Sequence, residues 1–201
     1  MAVHHKNSWY YKGLELSKLK KYEEAIACFD KALTENSEHY LTWKEKGHAL
    51  YHLEKYEEAI PCFDETIRLK PLITNFKSWK NNCEFHIWCD KGWVLAEQEK
   101  FEEAIPCFDK AIALKPKSGA VGWYNAWLGK GQVLAEQEKY EEANTCMNEA
   151  ITLKPKSYDA WFVKMGVLLF LERYNEGWAC GLEARAINPE SFRRDFKDGF
   201  L

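Results

Sequence analysis

One short motif recurs along the whole chain and constrains its fold more than any other feature. An aromatic residue followed by two glutamates and an alanine occurs four times, and a weaker fifth copy follows, at residues 22–25, 56–59, 101–104, 140–143 and 174–177. Successive copies are 34, 45, 39 and 34 residues apart. Units of this size cannot each bury a core alone, so the periodicity predicts a stack of similar units.

Two further columns with the same spacing indicate what each unit is. A tryptophan and a leucine recur seven residues apart, in most units with a glycine between them, as in Trp43, Gly47 and Leu50. Offsets of four and seven place residues on one face of a helix. The acidic motif then begins a second helix, because acids in a first turn suit the positive end of the helix dipole.

Prolines punctuate four of the units, and a proline ends a helix because it cannot continue the backbone hydrogen-bond pattern. They stand at Pro71, Pro116, Pro155 and Pro189. Each unit is therefore predicted to be a pair of helices. The predicted second helices span about Tyr22–Thr34, Tyr56–Leu69, Phe101–Leu114, Tyr140–Leu153 and Tyr174–Ile187.

These residues resemble the tetratricopeptide repeat family, whose pattern of about 34 residues has Trp, Leu-Gly, Tyr, Ala, Phe, Ala and Pro at the same relative places. The resemblance implies an all-α fold, an α-α superhelix that forms a right-handed solenoid of five helix-turn-helix repeats with a short C-terminal capping helix. We expect a single domain over residues 1–201. Its repeats are expected at residues 6–39, 40–73, 85–118, 124–157 and 158–191, with the cap at 191–201.

The fifth repeat departs from the pattern. Gly166 stands one place later than the glycine of the other repeats, and Gly177 and Gly181 replace an alanine and a large apolar residue. A glycine inside a helix costs about 1 kcal/mol relative to alanine. The second helix of this repeat is therefore expected to be the least stable.

The last residues are predicted to cover the end of the stack. Ser191 is a suitable helix N-cap, and Phe192 and Phe196 lie four residues apart among charged residues. We expect a short helix from about Phe192 that lays these two rings over the fifth repeat.

Two insertions interrupt the spacing, near residues 72–84 and 118–123. In the first, apolar residues recur every three or four positions, which predicts a helix from about Asn75 to Glu97. Phe76 and Trp79 would then form a second contact surface, for a partner or a second copy of the chain. The second insertion is predicted to be a loop, with one possible extra helical turn.

The seven cysteines do not indicate a disulfide framework. Five of them form another column at the repeat spacing and are predicted to be buried thiols, since equivalent positions of packed helices lie too far apart for a disulfide. Cys83, His86 and Cys89 are spaced by three, but on a helix their side chains diverge. A zinc site would also need a fourth ligand, such as His48 or His52 of the neighbouring unit. No metal and no cofactor are expected.

Charge and motif content narrow the classes of function. The net charge of −3 and pI near 6.1 argue against a nucleic-acid partner. No apolar run is long enough to span a membrane, and the first residues do not form a secretory signal, so a cytoplasmic location is expected. Phosphate-binding, zinc-protease, calcium-binding and serine-nucleophile motifs are missing from the sequence, and the chain is predicted not to be an enzyme.

The resemblance implies that the first helix of each repeat lines a concave groove, with groove residues opposite the Trp-Gly-Leu face. This lining is aromatic and amphipathic, as interface hot spots are. Tyr10, Tyr51 and His52 are expected to be exposed there, whereas Trp93 and Phe162 fit the groove and helix packing equally well. The full candidate set is Tyr10, Tyr11, Leu14, Lys44, His48, Tyr51, His52, His86, Asp90, Trp93, Asn125, Leu128, Gln132 and Phe162.

Two kinds of function fit this prediction. The chain is either an interaction module or scaffold that binds a peptide, helix or partner domain in its groove, or a structural subunit that associates with itself as a homo-oligomer. The family also includes a groove that clamps chaperone tails with paired basic residues. At the matching places this chain has only Lys44, so the clamp is not expected.

Overall fold

The computed structural model describes residues 8–69, 77–114 and 120–200, without the side chains of residues 77–84, 120–122 and 198–200. The described residues form helices and turns and contain no strand. Eleven helices follow one another in these ranges: α1 (Ser8–Lys18), α2 (Tyr22–Glu35), α3 (Tyr40–His52), α4 (Tyr56–Leu69), α5 (Lys77–Glu97), α6 (Phe101–Ala113), α7 (Ala120–Glu136), α8 (Tyr140–Leu153), α9 (Tyr158–Phe170), α10 (Tyr174–Ile187) and α11 (Pro189–Phe200).

The chain divides into two compact units, Met1–Lys100 and Phe101–Leu201. The first contains α1–α5 and the second contains α6–α11, and within each unit every helix packs against the next one in the chain. All five predicted second helices are present, each beginning at its predicted residue and ending within one residue of the predicted end. The predicted all-α fold of paired helices is therefore confirmed.

Contact between a glycine and a large residue joins the two helices of most repeats. A Cβ atom added to Gly47 of α3 would lie 2.9 Å from Cε1 of Phe63 in α4, closer than packed atoms approach. Gly13 faces Phe29 in the same way, and Gly131 faces Met147. The same spacing of 16 residues between the partners in each of these repeats lets the second helix pack directly on the backbone of the first.

The fifth repeat makes the same contact with the two residue sizes exchanged. Its first helix, α9, carries Met165 where the other repeats have glycine, and its second helix carries Gly181 where they have a large residue. A Cβ atom added to Gly181 would lie 2.7 Å from Sδ of Met165. Gly181 therefore makes room for Met165, which is fully buried. In the sequence, Gly181 stood out as a departure from the pattern, but its compensation of Met165 was not predicted.

A left-handed residue ends the first helix of every repeat. The five are Lys20, Glu54, Glu99, Glu138 and Glu172, with φ between 56° and 60°. In each turn the next backbone N–H donates to the carbonyl of the leucine column, at 2.8–3.0 Å, as from Lys55 to Leu50. This is the Schellman end of a helix, where glycine is the usual left-handed residue because other side chains raise the energy of this conformation.

The first insertion lengthens a helix, as predicted. Helix α5 has 21 residues, whereas α3 and α9 have 13 each. Its described part begins at Lys77, and the helix ends at Glu97 as predicted. Phe76 lies outside the described residues, and Trp79 lies in α5 with its side chain outside the described part. The second insertion was predicted to be a loop with an extra helical turn only from Trp123, and this prediction was wrong for residues 120–122. These residues already lie in α7, which begins at Ala120 and has 17 residues, so this part of the insertion extends the helix at its start.

The predicted capping helix is present as α11, with a different start. It begins at Pro189 because the side chain of Asn188 accepts a hydrogen bond from the Ser191 N–H at 3.0 Å. The N-cap is therefore Asn188, and the prediction of Ser191 was wrong. Proline is favoured directly after an N-cap, since its missing N–H has no partner there in any case. Phe192 and Phe196 pack on the fifth repeat as predicted.

The cysteine column is buried and reduced. Cys28, Cys62, Cys107, Cys146 and Cys180, together with Cys89, are buried free thiols. Burial raises the pKa of the Cys62 and Cys146 thiols to about 11. In the described part of the chain, no helix combines the length and apolarity required to cross a membrane.

Candidate functional site

Four of the predicted groove residues meet in one pocket of the first unit. His48 and Tyr51 of α3 face Asp90 and Trp93 of α5, with Phe63 and Val94 completing the lining. They meet because positions three apart on each first helix share a face, and the two helices are neighbours. The pocket is narrow and has a polar pair on one side and aromatic rings on the other.

The polar pair holds one wall of this pocket in place. His48 Nε2 lies 2.7 Å from Asp90 Oδ2, and His48 Nδ1 lies 3.9 Å from Glu45 Oε2. Both members of the close pair are about one-third exposed, so their attraction is worth at most about 1 kcal/mol. The His48–Asp90 contact orients the imidazole ring, and it gives the Asp90 carboxylate a hydrogen-bond partner within the protein.

Tyr51 supplies a hydroxyl at the aromatic wall. Burial raises the pKa of Tyr51, and the carboxylates of Glu97 and Asp90 raise it further. The phenol therefore stays protonated at neutral pH and can donate a hydrogen bond. Its ring lies 5.7 Å from the rings of both His52 and Tyr56. His52 is exposed, as predicted. Tyr51 was also predicted to be exposed, and it is half-buried because its ring packs against the rings of His52 and Tyr56.

Two predicted groove residues are buried in the core. Tyr10 is only 9% exposed and Leu128 only 7%. The ring of Tyr10 lies 5.0 Å from His39, at the start of the next first helix, and Leu128 packs in a cluster with Ala160 of the following repeat. The prediction that Tyr10 is exposed was wrong, because the position after the repeat tryptophan turns toward the neighbouring repeat.

The remaining candidates do not gather in the first pocket. Tyr11 is 60% exposed, and His86 and Asn125 are also exposed. Leu14 is partly buried against the first core, Gln132 is half-buried, and Lys44 pairs with Glu45 at 3.2 Å. Phe162 packs edge-to-face on Phe192 of α11, with ring centroids 6.1 Å apart.

A second pocket, of about 460 Å³, lies between α7 and α9 in the second unit. Its walls include the acidic residues Glu136 and Glu138 and a pair of stacked rings, Tyr140 and Phe170, with centroids 4.9 Å apart and planes 2° apart. This pocket was not predicted from the sequence, although the displaced Gly166 was a signal of it. The lining residues are Ala135, Glu136, Glu138, Tyr140, Val163, Gly166, Val167 and Phe170.

Neither pocket has the ligands of a metal site. No three His, Cys, Asp or Glu side chains of the described residues are placed to hold a metal ion. The side chain of Cys83, one of the three residues weighed as ligands, lies outside the described part. Cys89 is buried and His86 is exposed, so these two point to different environments.

Comparison with known proteins agrees with this architecture. Tetratricopeptide repeat models match residues 7–39, 40–71, 86–118 and 124–157. A comparison with curated protein sequences finds no match.

Solved structures of the same fold cover nearly the whole chain. MamA from Desulfovibrio magneticus RS-1 superposes with a TM-score of 0.78 at 16% identity, over 94% of this chain and 98% of that chain. YrrB, described as a TPR protein with an unusual peptide-binding site, superposes with a TM-score of 0.70 at 20% identity, over 94% and 90%. At these identities the similarity shows the fold.

Proposed function

Because this chain belongs to the tetratricopeptide repeat family, we propose that it is a protein-interaction module that binds a peptide or partner helix along its first helices. The family fold supports protein binding in general. The pocket of His48, Tyr51, Asp90 and Trp93 is the observation that supports this particular surface. The proposal assigns the chain a binding role and no catalytic one.

The chemistry of the first pocket suits a side chain of a bound peptide. Its aromatic rings offer a large apolar contact, and its phenol and imidazole give that contact a direction through hydrogen bonds. Residues that combine ring area with a polar group carry much of the binding energy at protein interfaces. The peptide-binding site named for YrrB supports the same kind of ligand for a protein of this fold.

The test begins with peptides selected from a random phage-displayed library on the immobilised full-length protein. Their Kd is then measured by fluorescence polarisation for the parent, for Tyr51→Ala and for Trp93→Ala. We expect each substitution to weaken binding by about tenfold or more, the loss of one hot-spot side chain. Circular dichroism should show unchanged helicity.

A matched control separates this pocket from aromatic surface in general. Trp178 of α10 is 50% exposed and lies in the other unit, so Trp178→Ala should leave the Kd unchanged. If the selected peptides bind a protein carrying both Tyr51→Ala and Trp93→Ala as tightly as the parent, this pocket is not the site.

A self-associating subunit is the second candidate, and one observation favours it. Tyr174, Trp178 and Leu182 lie four residues apart on α10 and are all at least half exposed. An exposed apolar stripe of this kind is typical of a contact surface. Sedimentation of the parent over a range of concentrations tests it, and a dimer that Trp178→Ala dissociates would support this alternative.

The proposed setting of this binding role is the cytoplasm. The six described cysteines are all reduced, which fits a compartment where disulfides are rare. The partner class we propose is protein or peptide, with no nucleic acid, because the net charge is −3. Fluorescence microscopy of the tagged chain checks the location.

A further inference from the structure

We infer that the pocket between α7 and α9 binds an arginine side chain of the partner, an inference that rests on the proposed binding function for the identity of that partner. It assigns a chemistry to one position of the bound peptide. Three features of the pocket carry the inference: a glycine that opens it, a stacked aromatic wall, and two carboxylates without counter-ions among the described residues.

The glycine is Gly166, in the middle of α9. The equivalent positions of three other repeats hold the larger residues Leu14, His48 and Gln132. A glycine inside a helix costs about 1 kcal/mol relative to alanine, so its presence requires a reason. Packing against α10 does not provide one, because Met165 occupies the position that faces α10. Gly166 instead lines the pocket, where any side chain would reduce its volume.

The aromatic wall matches a planar cation. Tyr140 and Phe170 stack face to face, and Phe170 is 67% exposed, so one face of the stack is open to a ligand. A guanidinium group stacks on aromatic faces and is attracted by their negative potential. Ala135, Val163 and Val167 supply an apolar lining for the methylene stem of the same side chain.

The carboxylates are Glu136 and Glu138, and neither forms an ion pair with any residue that the structure describes. Two basic residues that follow lining residues in the sequence, Lys139 after Glu138 and Arg173 three places after Phe170, have other partners. Lys139 donates to Gln137 at 3.0 Å, and Arg173 donates twice to Glu176, at 2.6 and 2.8 Å. The pocket therefore carries negative charge that a ligand can neutralise.

The first pocket lacks this property. Its acid, Asp90, is already held by His48 at 2.7 Å. An arginine entering there would have to displace the imidazole. The charge of the lining therefore favours the pocket of the second unit as the site for a basic side chain. Arginine suits this pocket better than lysine, because the planar guanidinium group can donate several hydrogen bonds to carboxylates at once.

The test uses the full-length protein and a small probe, N-acetyl-argininamide, followed by NMR amide shifts. We expect saturable shifts at Glu136, Gly166 and Phe170. N-acetyl-citrullinamide has nearly the same shape without the charge, and it should bind at least about tenfold more weakly. Equal binding of the citrulline probe, or of N-acetyl-leucinamide, would overturn the inference, as would equal binding of N-acetyl-lysinamide for arginine in particular.

Two variants test the pocket by independent routes. Gly166→Leu should fill it and abolish the arginine shifts, while its thermal melt stays at or above that of the parent. The pair Glu136→Gln, Glu138→Gln should also remove binding without changing the pocket's size. Glu172→Gln is the matched control, since Glu172 occupies the same turn position of the next repeat as Glu138. Retained arginine binding in the paired glutamine variant would overturn the inference.

The same reagents separate this inference from the proposed function. Trp93→Ala should leave arginine binding unchanged. If library peptides are selected but contain no arginine preference, and the probe causes no shifts, the inference fails and the proposed function stands. If the probe binds Glu136 and Gly166 but no peptide is selected, the proposed function fails and the arginine pocket stands.

Discussion

The second and fifth repeats both have a glycine in the middle of their first helix, but the two glycines face different neighbours. In the second repeat, Gly47 faces α4 and His48 faces the neighbouring first helix. In the fifth, Met165 faces α10 and Gly166 faces the neighbouring first helix. The two repeats thus differ by a shift of one residue, and the shift moves the small residue from the packing side to the pocket side.

Within one repeat, the small residue can therefore serve either the contact between the two helices or the opening of a pocket. Moving the glycine away from α10 would produce a collision if the facing residue were large, and Gly181 removes that collision. The helix pair keeps its close contact, and the pocket side gains an opening that the other repeats fill with a side chain. Four predictions test this comparison.

The largest effect on the free energy of unfolding is expected when the small and the large residue of the second repeat, Gly47 and Phe63, are exchanged. Phe63→Gly should cost about 5 kcal/mol, from the cavity left by a fully buried ring and the glycine in the helix. Gly47→Met should cost about 3 kcal/mol, because its side chain collides with Phe63. The double variant should recover about 2 kcal/mol of the sum, as contacting residues do in double-mutant cycles.

Urea unfolding followed by circular dichroism gives all of the free energies in this cycle. Met165→Gly combined with Gly181→Phe provides the reverse exchange in the fifth repeat. Strictly additive costs in both repeats would show that the two positions do not compensate one another.

A smaller effect is expected at the start of the fifth repeat. Ser157 caps α9 by accepting from the Ala160 N–H at 3.3 Å, and its hydroxyl lies 2.5 Å from the buried Tyr124 hydroxyl. Ser157→Ala should cost about 3 kcal/mol, from the lost cap and a buried hydroxyl without a partner. In the second repeat the equivalent His39 makes no such cap. Ser157→Thr keeps the hydroxyl and should retain most of the stability in the same unfolding experiment.

The repeat pattern predicted the helix pairs and their ends, because the acidic motif and the prolines act locally on the backbone. Other features could not be predicted, because they depend on how neighbouring helices pack against each other. The burial of Tyr10 and Leu128 depends on the angle between neighbouring first helices, which periodicity does not contain. The pairing of Met165 with Gly181 depends on a contact across 16 residues.

The pocket of Glu136 and Glu138 combines a helix end, a turn and two neighbouring repeats, so no single motif marks it. The start of α11 was misplaced for a different reason. Pro189 fits both the end of α10 and the first turn of α11, and only the hydrogen bond from Ser191 to Asn188 distinguishes the two. The first pocket was predictable because His48, Tyr51, Asp90 and Trp93 all follow from the period of single helices.

A gain in stability is expected at the pocket glycine. Gly166→Ala should stabilise the protein by about 0.5–1 kcal/mol, since alanine has less freedom to lose on folding. Gly47→Ala provides the contrast and should destabilise, because its Cβ would meet Phe63. Opposite signs in thermal unfolding would show that Gly166 and Gly47 have different roles in their helices. A destabilised Gly166→Ala would mean that this glycine is needed for packing after all.

The smallest effect is a pH dependence confined to the second repeat. His39 is half-buried, and burial lowers the pKa of its imidazole below the ordinary value of 6.5. As the pH falls, the unfolded chain takes up this proton first, so the stability contributed by neutral His39 is complete above pH 6.5 and is lost below it. Ser157, its counterpart in the fifth repeat, does not titrate.

Unfolding free energies measured across this pH range should fall less steeply for His39→Asn than for the parent. Comparing slopes removes the contributions of the other histidines, which both proteins share. Identical slopes would show that His39 takes up its proton equally in the folded and unfolded chains.

The buried cysteines can report the local unfolding of each helix pair. Only the thiolate reacts with alkylating reagents, and a buried thiol with a raised pKa, such as Cys62 or Cys146, stays inert until its helices separate. Cys28, Cys107 and Cys180 occupy the same column. Timed alkylation of the folded protein, read peptide by peptide in a mass spectrometer, would therefore rank the repeats by how often each one transiently unfolds, without a single introduced label.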